Sequence, residues 1–393
     1  MPDCLGLKKL IIISTHPIQY NAPLFQLLTS RGNIDVKVLY TWGQADKKVF
    51  DPGFGKERQW DVPLLEGYSY KFLENISATP GSHHFKGIDN PAILSEVNAY
   101  APDAILVYGW SFKSHLKIMR HFKGKVKILF RGDSTLLDEP AGFSIRKLMR
   151  CLWLKWIYSH VDSALYVGTA NKVYYLKHGL QNKQLTFAPH AIDNNRFLTT
   201  SKEDLRGALG IPSDDIIFLF AGKFEQKKDP LLFLNAFIEL NHESAWLLMV
   251  GSGELEPDLK KLAKAQKKKL TDRIHFLPFQ NQSRMPDIYK TCDIFVLPSQ
   301  GPGETWGLAV NEAMACAKAV LVSDRCGASI DLVEHGDNGF VFRHKDFEDL
   351  LEKMRVLVNS KRDLLKMGER SLVIIKDWIY EKDAITIEAA TML

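Results

Sequence analysis

"DIFVLPSQGPGETWGLAVNEAMACAKAVLVSD", residues 293–324, reads as strand, loop, helix and strand in turn. The run "DIFVLPS" is short and apolar and ends at Pro298 and Ser299. Gly301, Pro302 and Gly303 cannot easily continue a strand or a helix, helical sequence resumes near Gly307, and "AVLVSD" is again a buried-strand pattern. Two carboxylates stand out in it, Glu304 and Glu312. On one unbroken helix their spacing would leave both on one face, but the Gly-Pro-Gly stretch places Glu304 in the loop and Glu312 one or two turns into the helix. In open α/β sheets that carboxyl edge is where ligands bind, and the following helix start offers N–H groups to an anion. Geometry alone leaves two readings open: a helix cap and a solvated helix residue, or a pair of ligand-binding carboxylates.

Outward from this stretch the pattern repeats. Strands are expected at "KLIIIS", "DVKVLY", "DAILVYG", "KVKILFRG", "SALYVG" and "LTFAP" in the first half, and at "IIFLFAG", "WLLMVGSG", "IHFLPF", "DIFVLPS", "AVLVSD" and "GFVF" in the second. They are continuous apolar runs rather than alternating ones, as parallel strands covered on both faces require. The expectation is an α/β protein of two doubly wound, Rossmann-like domains, with the break near "HAIDNNRFLTTSKEDLRGALG". A chain of 393 residues suits two domains.

Composition narrows the function classes. With 46% hydrophobic and 25% charged residues, the chain reads as an ordinary globular protein. No apolar stretch reaches the roughly 18 residues of a membrane span, and "MPDCLGLKKLIIISTHP" reads as a first strand rather than a secretory signal. The five cysteines, Cys4, Cys151, Cys292, Cys316 and Cys326, have no C-x-x-C spacing and imply neither a disulfide frame nor a zinc site. The expected location is cytoplasmic. The net charge of +5 is uneven: residues 113–177 hold thirteen Lys and Arg against four Asp and Glu, a local +9 that leaves −4 elsewhere. Something negative is expected to meet that region. No basic-aromatic signature marks it as a nucleic-acid site, so nucleic acid is not expected as a partner. Within it, "IRKLMRCLWLKWIY" (145–158) sets Arg146, Lys147 and Arg150 on one side of a helix and Lys155 roughly opposite. A core helix with a basic outer edge is weighed there against an interfacial one.

Four segments in order carry a resemblance: "AGKFEQKKDP" (221–230), "GSGE" (251–254), "IYKTCDIFVLPS" (288–299) and "GETWGLAVNEAMACAKAVLVSDRCG" (303–327). Together with "HAIDNNRF" (190–197), they make the second half similar to the donor domain of family-4 retaining glycosyltransferases (glycosyl transferases group 1), whose GT-B fold has two Rossmann-like domains facing across a cleft. The first half matches more loosely. By that resemblance, residues 1–195 form the acceptor domain and 196–374 the donor domain, and a final helix from 375 to 393 crosses back to the first.

The resemblance implies roles for the site. Glu304 would contact hydroxyls of the transferred sugar and Glu312 the nucleotide ribose, a use that suits carboxylates because each accepts two hydroxyl donors. Lys223 and Lys228 would stabilise the leaving diphosphate. Relatives usually carry Arg where Lys223 stands, so a bidentate fork is exchanged for a point charge. Gly222, Gly251 and Gly253 would line the donor pocket, with the backbone around Trp306, Gly307 and Leu308 facing the diphosphate. In the first half, His16, Trp110, Arg131 and Asp133 are the candidates for the acceptor side. An internal Arg-Asp salt bridge is the competing reading for Arg131. Where relatives place a sugar-contacting histidine, this chain reads Tyr108, Gly109, Trp110, with His115 the nearest histidine.

The implied activity is transfer of a sugar from a nucleotide diphosphate sugar, UDP-linked rather than GDP-linked, to a glycan or lipid-linked acceptor in cell-surface polysaccharide or glycoconjugate synthesis. No metal or other cofactor is expected. The acceptor and the basic segment together suggest a peripheral position on an anionic membrane surface at its inner face. A sugar-nucleotide epimerase of the same fold and a non-catalytic nucleotide-sugar binding protein are the rival readings.

Overall fold

Strand by strand, the apolar runs of the first half fold into one parallel sheet. A computed structural model describes residues 6–43, 49–51, 56–58, 60–139, 142, 144–199 and 204–392. It divides into one unit of Met1–Lys47, Val62–Ala191 and Tyr380–Leu393 and a second of Lys48–Asp61 and Ile192–Ile379. The strands of the first unit are β1 (Lys9–Ser14), β2 (Asp35–Tyr40), β5 (Ser69–Phe72), β6 (Ala104–Tyr108), β7 (Lys127–Arg131), β8 (Ser163–Tyr166) and β9 (Leu185–Phe187). Their order is β5-β2-β1-β6-β7-β8-β9. The central strand is fully buried from Leu10 to Ile13, with Ile12 in register with Val38 on one side and Leu106 on the other.

From β1 the chain winds to β2 and β5 in one direction, then from β6 to β9 in the other. Right-handed crossovers therefore put α1 (Ala22–Arg31) on one face and α2 (Ile93–Tyr100), α3 (Lys113–Phe122), α4 (Ile145–Tyr158) and α5 (Thr169–Lys177) on the opposite one. Local chemistry sets the ends. Pro23 opens α1, Gly32 closes it at φ 65°, and the Ser144 hydroxyl caps α4 by accepting from the Arg146 N–H at 3.2 Å. One core joins α2 to α5 with the sheet through Val97, Met119, Leu154 and Tyr175.

The second unit holds the antiparallel pair β3 (Val49–Asp51) and β4 (Lys56–Arg58) and a six-stranded parallel sheet. The sheet strands are β10 (Ile216–Ala221), β11 (Ala245–Val250), β12 (Ile274–Leu277), β13 (Ile294–Leu297), β14 (Ala319–Ser323) and β15 (Gly339–Phe342), in the order β12-β11-β10-β13-β14-β15. Phe218, Phe220, Phe233 and Phe237 fill the core under β10. The winding direction reverses between β10 and β13, so their carboxyl ends form the switch point of this sheet, the position at which open α/β sheets bind ligands.

All twelve expected runs are strands. The missed ones are β5, whose "SYKF" is mostly exposed at a sheet edge, and the short pair β3 and β4, which offer no long apolar run. The last helix of the first unit is Tyr380–Met392, starting later than the expected 375–393, and a separate helix, Lys361–Ile375, precedes it in the second unit. In the second unit the carbonyl of Ile375 accepts from Asn194 Nδ2 at 3.0 Å, and Trp378 packs on Trp306 with ring centres 4.9 Å apart. In the first unit the last helix is held to α1 by the paired bonds of Arg31 to Glu388, 2.7 and 2.9 Å.

Candidate functional site

The switch point of the second sheet gathers the motifs. Gly222 and Lys223 follow β10 directly, and Lys228 ends a single 3-10 turn, Gln226–Lys228. Asp229, at φ 49°, then caps the helix Pro230–Leu240 by accepting from the Leu232 N–H at 3.3 Å. The loop after β13 is tied to this turn: the Gln300 N–H donates to the Lys227 carbonyl at 2.9 Å, and Gln300 Nε2 donates to that of Gln226 at 2.6 Å. The loop after β11 lies against the same segment. A Cβ on Gly251 would sit 1.9 Å from the Gly222 carbonyl oxygen, and one on Gly253 would sit 2.6 Å from that of Phe224, at φ values no side chain favours. Both glycines thus permit close packing of two loops.

The two carboxylates are buried, Glu304 at 7% exposure and Glu312 at 3%. Glu304 pairs with the Lys228 ammonium and accepts from the Ser299 hydroxyl at 2.9 Å, while the Ser323 hydroxyl donates to the Ser299 carbonyl. Burial pushes the Glu304 carboxyl up, but the Lys228 charge and hydrogen bond, with Ser299, outweigh it and hold the group below the usual carboxylate range. Glu312, in the helix Ala309–Ala315, accepts from the Tyr289 hydroxyl at 2.8 Å. The reading of a helix cap and a solvated residue is therefore overturned. That helix has Leu308 at its N-cap and no side-chain cap bond, and Glu312 faces inward.

Between the carboxylates the loop is locked. The Gly327 N–H donates to the Glu304 carbonyl at 3.2 Å and the Ala328 N–H to that of Trp306 at 2.9 Å. Gly307 holds φ 94°, and a Cβ there would lie 2.6 Å from Cys326 Sγ and 2.8 Å from Leu297 Cδ2. The Trp306 side chain is buried, its indole N–H donating to Asn311 at 2.9 Å, so its ring belongs to the packing. Ser299, Tyr289 and Gly327 were not singled out from sequence. Their parts depend on neighbours 5, 23 and about 20 residues away, and no short motif signals them.

In the first unit the four candidates also lie at the carboxyl edge of their sheet, after β1, β6 and β7. His16 is half-buried, with Nδ1 3.0 Å from the Thr15 hydroxyl and its ring edge-on to Trp42. Trp110 packs against the core. Arg131 is buried and makes an ion pair, but with Asp383 of the last helix at 3.2 Å, not with its sequence neighbour Asp133. It also donates to the carbonyls of Ala188 and Pro189, so its guanidinium is committed to structure. His190 is the residue that sequence reading passed over here. Burial first, then the Arg131 charge, lower it to about 4, against the pull of Asp133. His115 is wholly buried, with Nε2 2.9 Å from the Thr41 hydroxyl and Nδ1 donating to the carbonyls of Tyr108 and Gly109. Among the described residues, no three His, Cys, Asp or Glu side chains gather in a way that could hold a metal ion, and no helix is long and apolar enough to cross a membrane.

Comparison with known proteins bears on the same segment. Residues 201–372 match the model of the family described as glycosyl transferases group 1. An uncharacterized glycosyltransferase of Haemophilus influenzae is 35% identical over 136 residues, 35% of this chain and 37% of that protein. The D-inositol 3-phosphate glycosyltransferase of Rhodococcus erythropolis is 28% identical over 192 residues, 47% of this chain and 42% of that one. The chain thus spans about two fifths of the length of these curated relatives. The structure of Anabaena HepE in complex with UDP and glucose superposes with a TM-score of 0.69 at 17% identity, covering 98% of this chain and 100% of that one. At that identity the likeness is one of fold, the GT-B fold.

Proposed function

We propose, for a chain whose residues 201–372 match the group 1 glycosyl transferases, that it moves a sugar from a nucleotide diphosphate sugar to a glycan or lipid-linked acceptor with retention of anomeric configuration. The observation that carries this reading is the buried Lys228–Glu304–Ser299 cluster at the switch point of the second sheet. An ionised carboxylate fixed by a hydroxyl and an ammonium is suited to orient a neutral polyol. The same ammonium, with Lys223, is suited to the charge that grows on a departing diphosphate, where preorganised cations act most strongly. Glu312, held by Tyr289, would take the ribose hydroxyls, and the main chain of Trp306, Gly307 and Leu308 the phosphates. In a front-face attack the leaving phosphate oxygen takes the acceptor proton, so neither a protein base nor a metal is required. HepE was solved with UDP and glucose, which supports a UDP-linked hexose as the first donor to try. His16, Trp110 and Asp133, on the first sheet's edge, are the groups for the acceptor.

Purified protein incubated with a panel of UDP- and GDP-sugars, followed by mass spectrometry, tests the reading. Slow donor hydrolysis without acceptor, and glycosylated product with it, are expected, both unchanged by EDTA. Interconversion of the donor sugar without acceptor would make the protein an epimerase, and tight donor binding without any turnover would make it a binding protein. Loss of activity in EDTA, restored by magnesium or manganese, would overturn the metal-free mechanism.

A further inference from the structure

Helix α4 is apolar on two opposite faces. Inward, Leu154, Ile157 and Tyr158 are buried in the first unit. Outward, Ile145, Leu148, Met149, Leu152, Trp153 and Trp156 are all exposed, Met149 by 66% and Trp153 by 47%. At 100° per residue these six fall within an arc of roughly 140°, and the rings of Trp153 and Trp156 stack 4.7 Å apart at the surface. The expected basic outer edge is therefore an apolar stripe with Arg146 on one flank and Lys155 on the other. A stripe of this size on one helix marks a place where something docks.

Charge says what. Helices α3, α4 and α5, which share a face of the sheet, carry nine Lys and Arg and no Asp or Glu. The Arg120 guanidinium lies 5.5 Å from the centre of the Trp156 ring. Beside the stripe is a pocket of about 350 Å³ lined by Lys147, Arg150, Lys177, Glu139 and His178. Glu139 accepts there from Arg150 at 3.0 Å and from Lys177 at 2.5 Å, while the Lys147 ammonium donates to the Gly142 carbonyl at 2.7 Å. His178, 2% exposed, stands 4.0 Å from Glu139, and neither of its ring nitrogens has a hydrogen-bond partner.

We propose that α4 is the docking face for an anionic lipid surface, with its apolar stripe entering the headgroup boundary and the pocket at Lys147, Arg150 and Lys177 receiving a lipid phosphate. Trp rings, aliphatic side chains and flanking basic residues are what a helix lying in that boundary needs. A second copy fits poorly, because a two-fold contact would set nine cations against nine. The inference deepens the reading of a lipid-linked acceptor by naming the surface that would bring the enzyme to it.

The test is flotation of the full chain with phosphatidylcholine vesicles, with and without phosphatidylglycerol, over a salt series. Binding is expected to the anionic vesicles alone, to fade as salt rises, and to quench tryptophan fluorescence when the lipids are brominated. Arg146→Glu with Arg150→Glu should weaken it about tenfold or more, and Trp153→Ser with Trp156→Ser should abolish the quenching. Both pairs should leave the UDP affinity of the wild type unchanged, since α4 is remote in sequence from the donor motifs, and a cooperative thermal melt of each variant checks that it still folds after losing the Glu139 pair of Arg150 or the Arg120 contact of Trp156. UDP binding is read separately, so its failure would count against the transferase and leave the lipid result standing. The proposal is overturned if the wild type ignores anionic vesicles at low salt or if both variant pairs float like it. It is overturned too if α4 instead forms a dimer that the Trp pair dissolves, or binds single-stranded RNA while vesicles are ignored.

Discussion

Glu304 and Glu312 are alike in sequence and differently employed in space. Glu304 shares its charge with Lys228 and Ser299 beside the loop glycines, whereas Glu312 accepts from the Tyr289 hydroxyl. If Glu304 orients the reacting sugar, Glu304→Gln lowers kcat by two orders of magnitude or more, about what loss of one transition-state contact costs, with little change in nucleotide affinity. Glu312→Gln instead raises the UDP dissociation constant and spares kcat. Steady-state kinetics and UDP titration on both variants check this, and equal small effects from both would refute the division of roles. Gly307 is the other residue whose identity is dictated locally. Its φ of 94° and the contacts a Cβ would make with Cys326 and Leu297 mean that Gly307→Ala should cost on the order of 2 kcal/mol or more. Urea denaturation would show it, and a change below half that would mean the loop adjusts freely.

At the scale of elements, the C-terminal segment is the instructive case. Residues 371–393 contain neither Gly nor Pro, and nothing in their local propensities stops one helix from running through. The break at Lys376–Ile379 is made by neighbours in the second unit: Asn194 caps the Ile375 carbonyl, and Trp378 seats against Trp306. Removing that seat should therefore loosen the loop that carries Glu304 as well as the break. Trp378→Ala is expected to destabilise by about 3 kcal/mol, typical of losing a buried aromatic, and to weaken UDP binding although Trp378 lies some 70 residues from the loop. A melt and a UDP titration together check it, and unchanged UDP affinity in a folded variant would show that the two are uncoupled.

For the molecule as a whole, acid sensitivity follows from the buried histidines of the first unit. Burial lowers His115 to about 4, against the pull of its carbonyl partners. Between pH about 6.5 and about 4 the unfolded chain takes up a proton that the folded one refuses, so stability falls as pH falls through that window. One such histidine accounts for up to about 3 kcal/mol. His115→Gln should flatten the dependence of the melting temperature on pH over that window, and an unchanged slope would mean that other groups dominate. Sequence alone determined the repeating strand–helix alternation, the twelve apolar strands and the motifs at the edge of the second sheet, because buried parallel strands must be continuously apolar and close-packed loops must have glycine. It could not decide who meets whom. That Lys228 closes on Glu304 across 76 residues, that Arg131 reaches Asp383 rather than Asp133, and that α4 turns a second apolar face outward depend on sheet order and on which helix face the core claims. These are settled only when elements distant in sequence pack together.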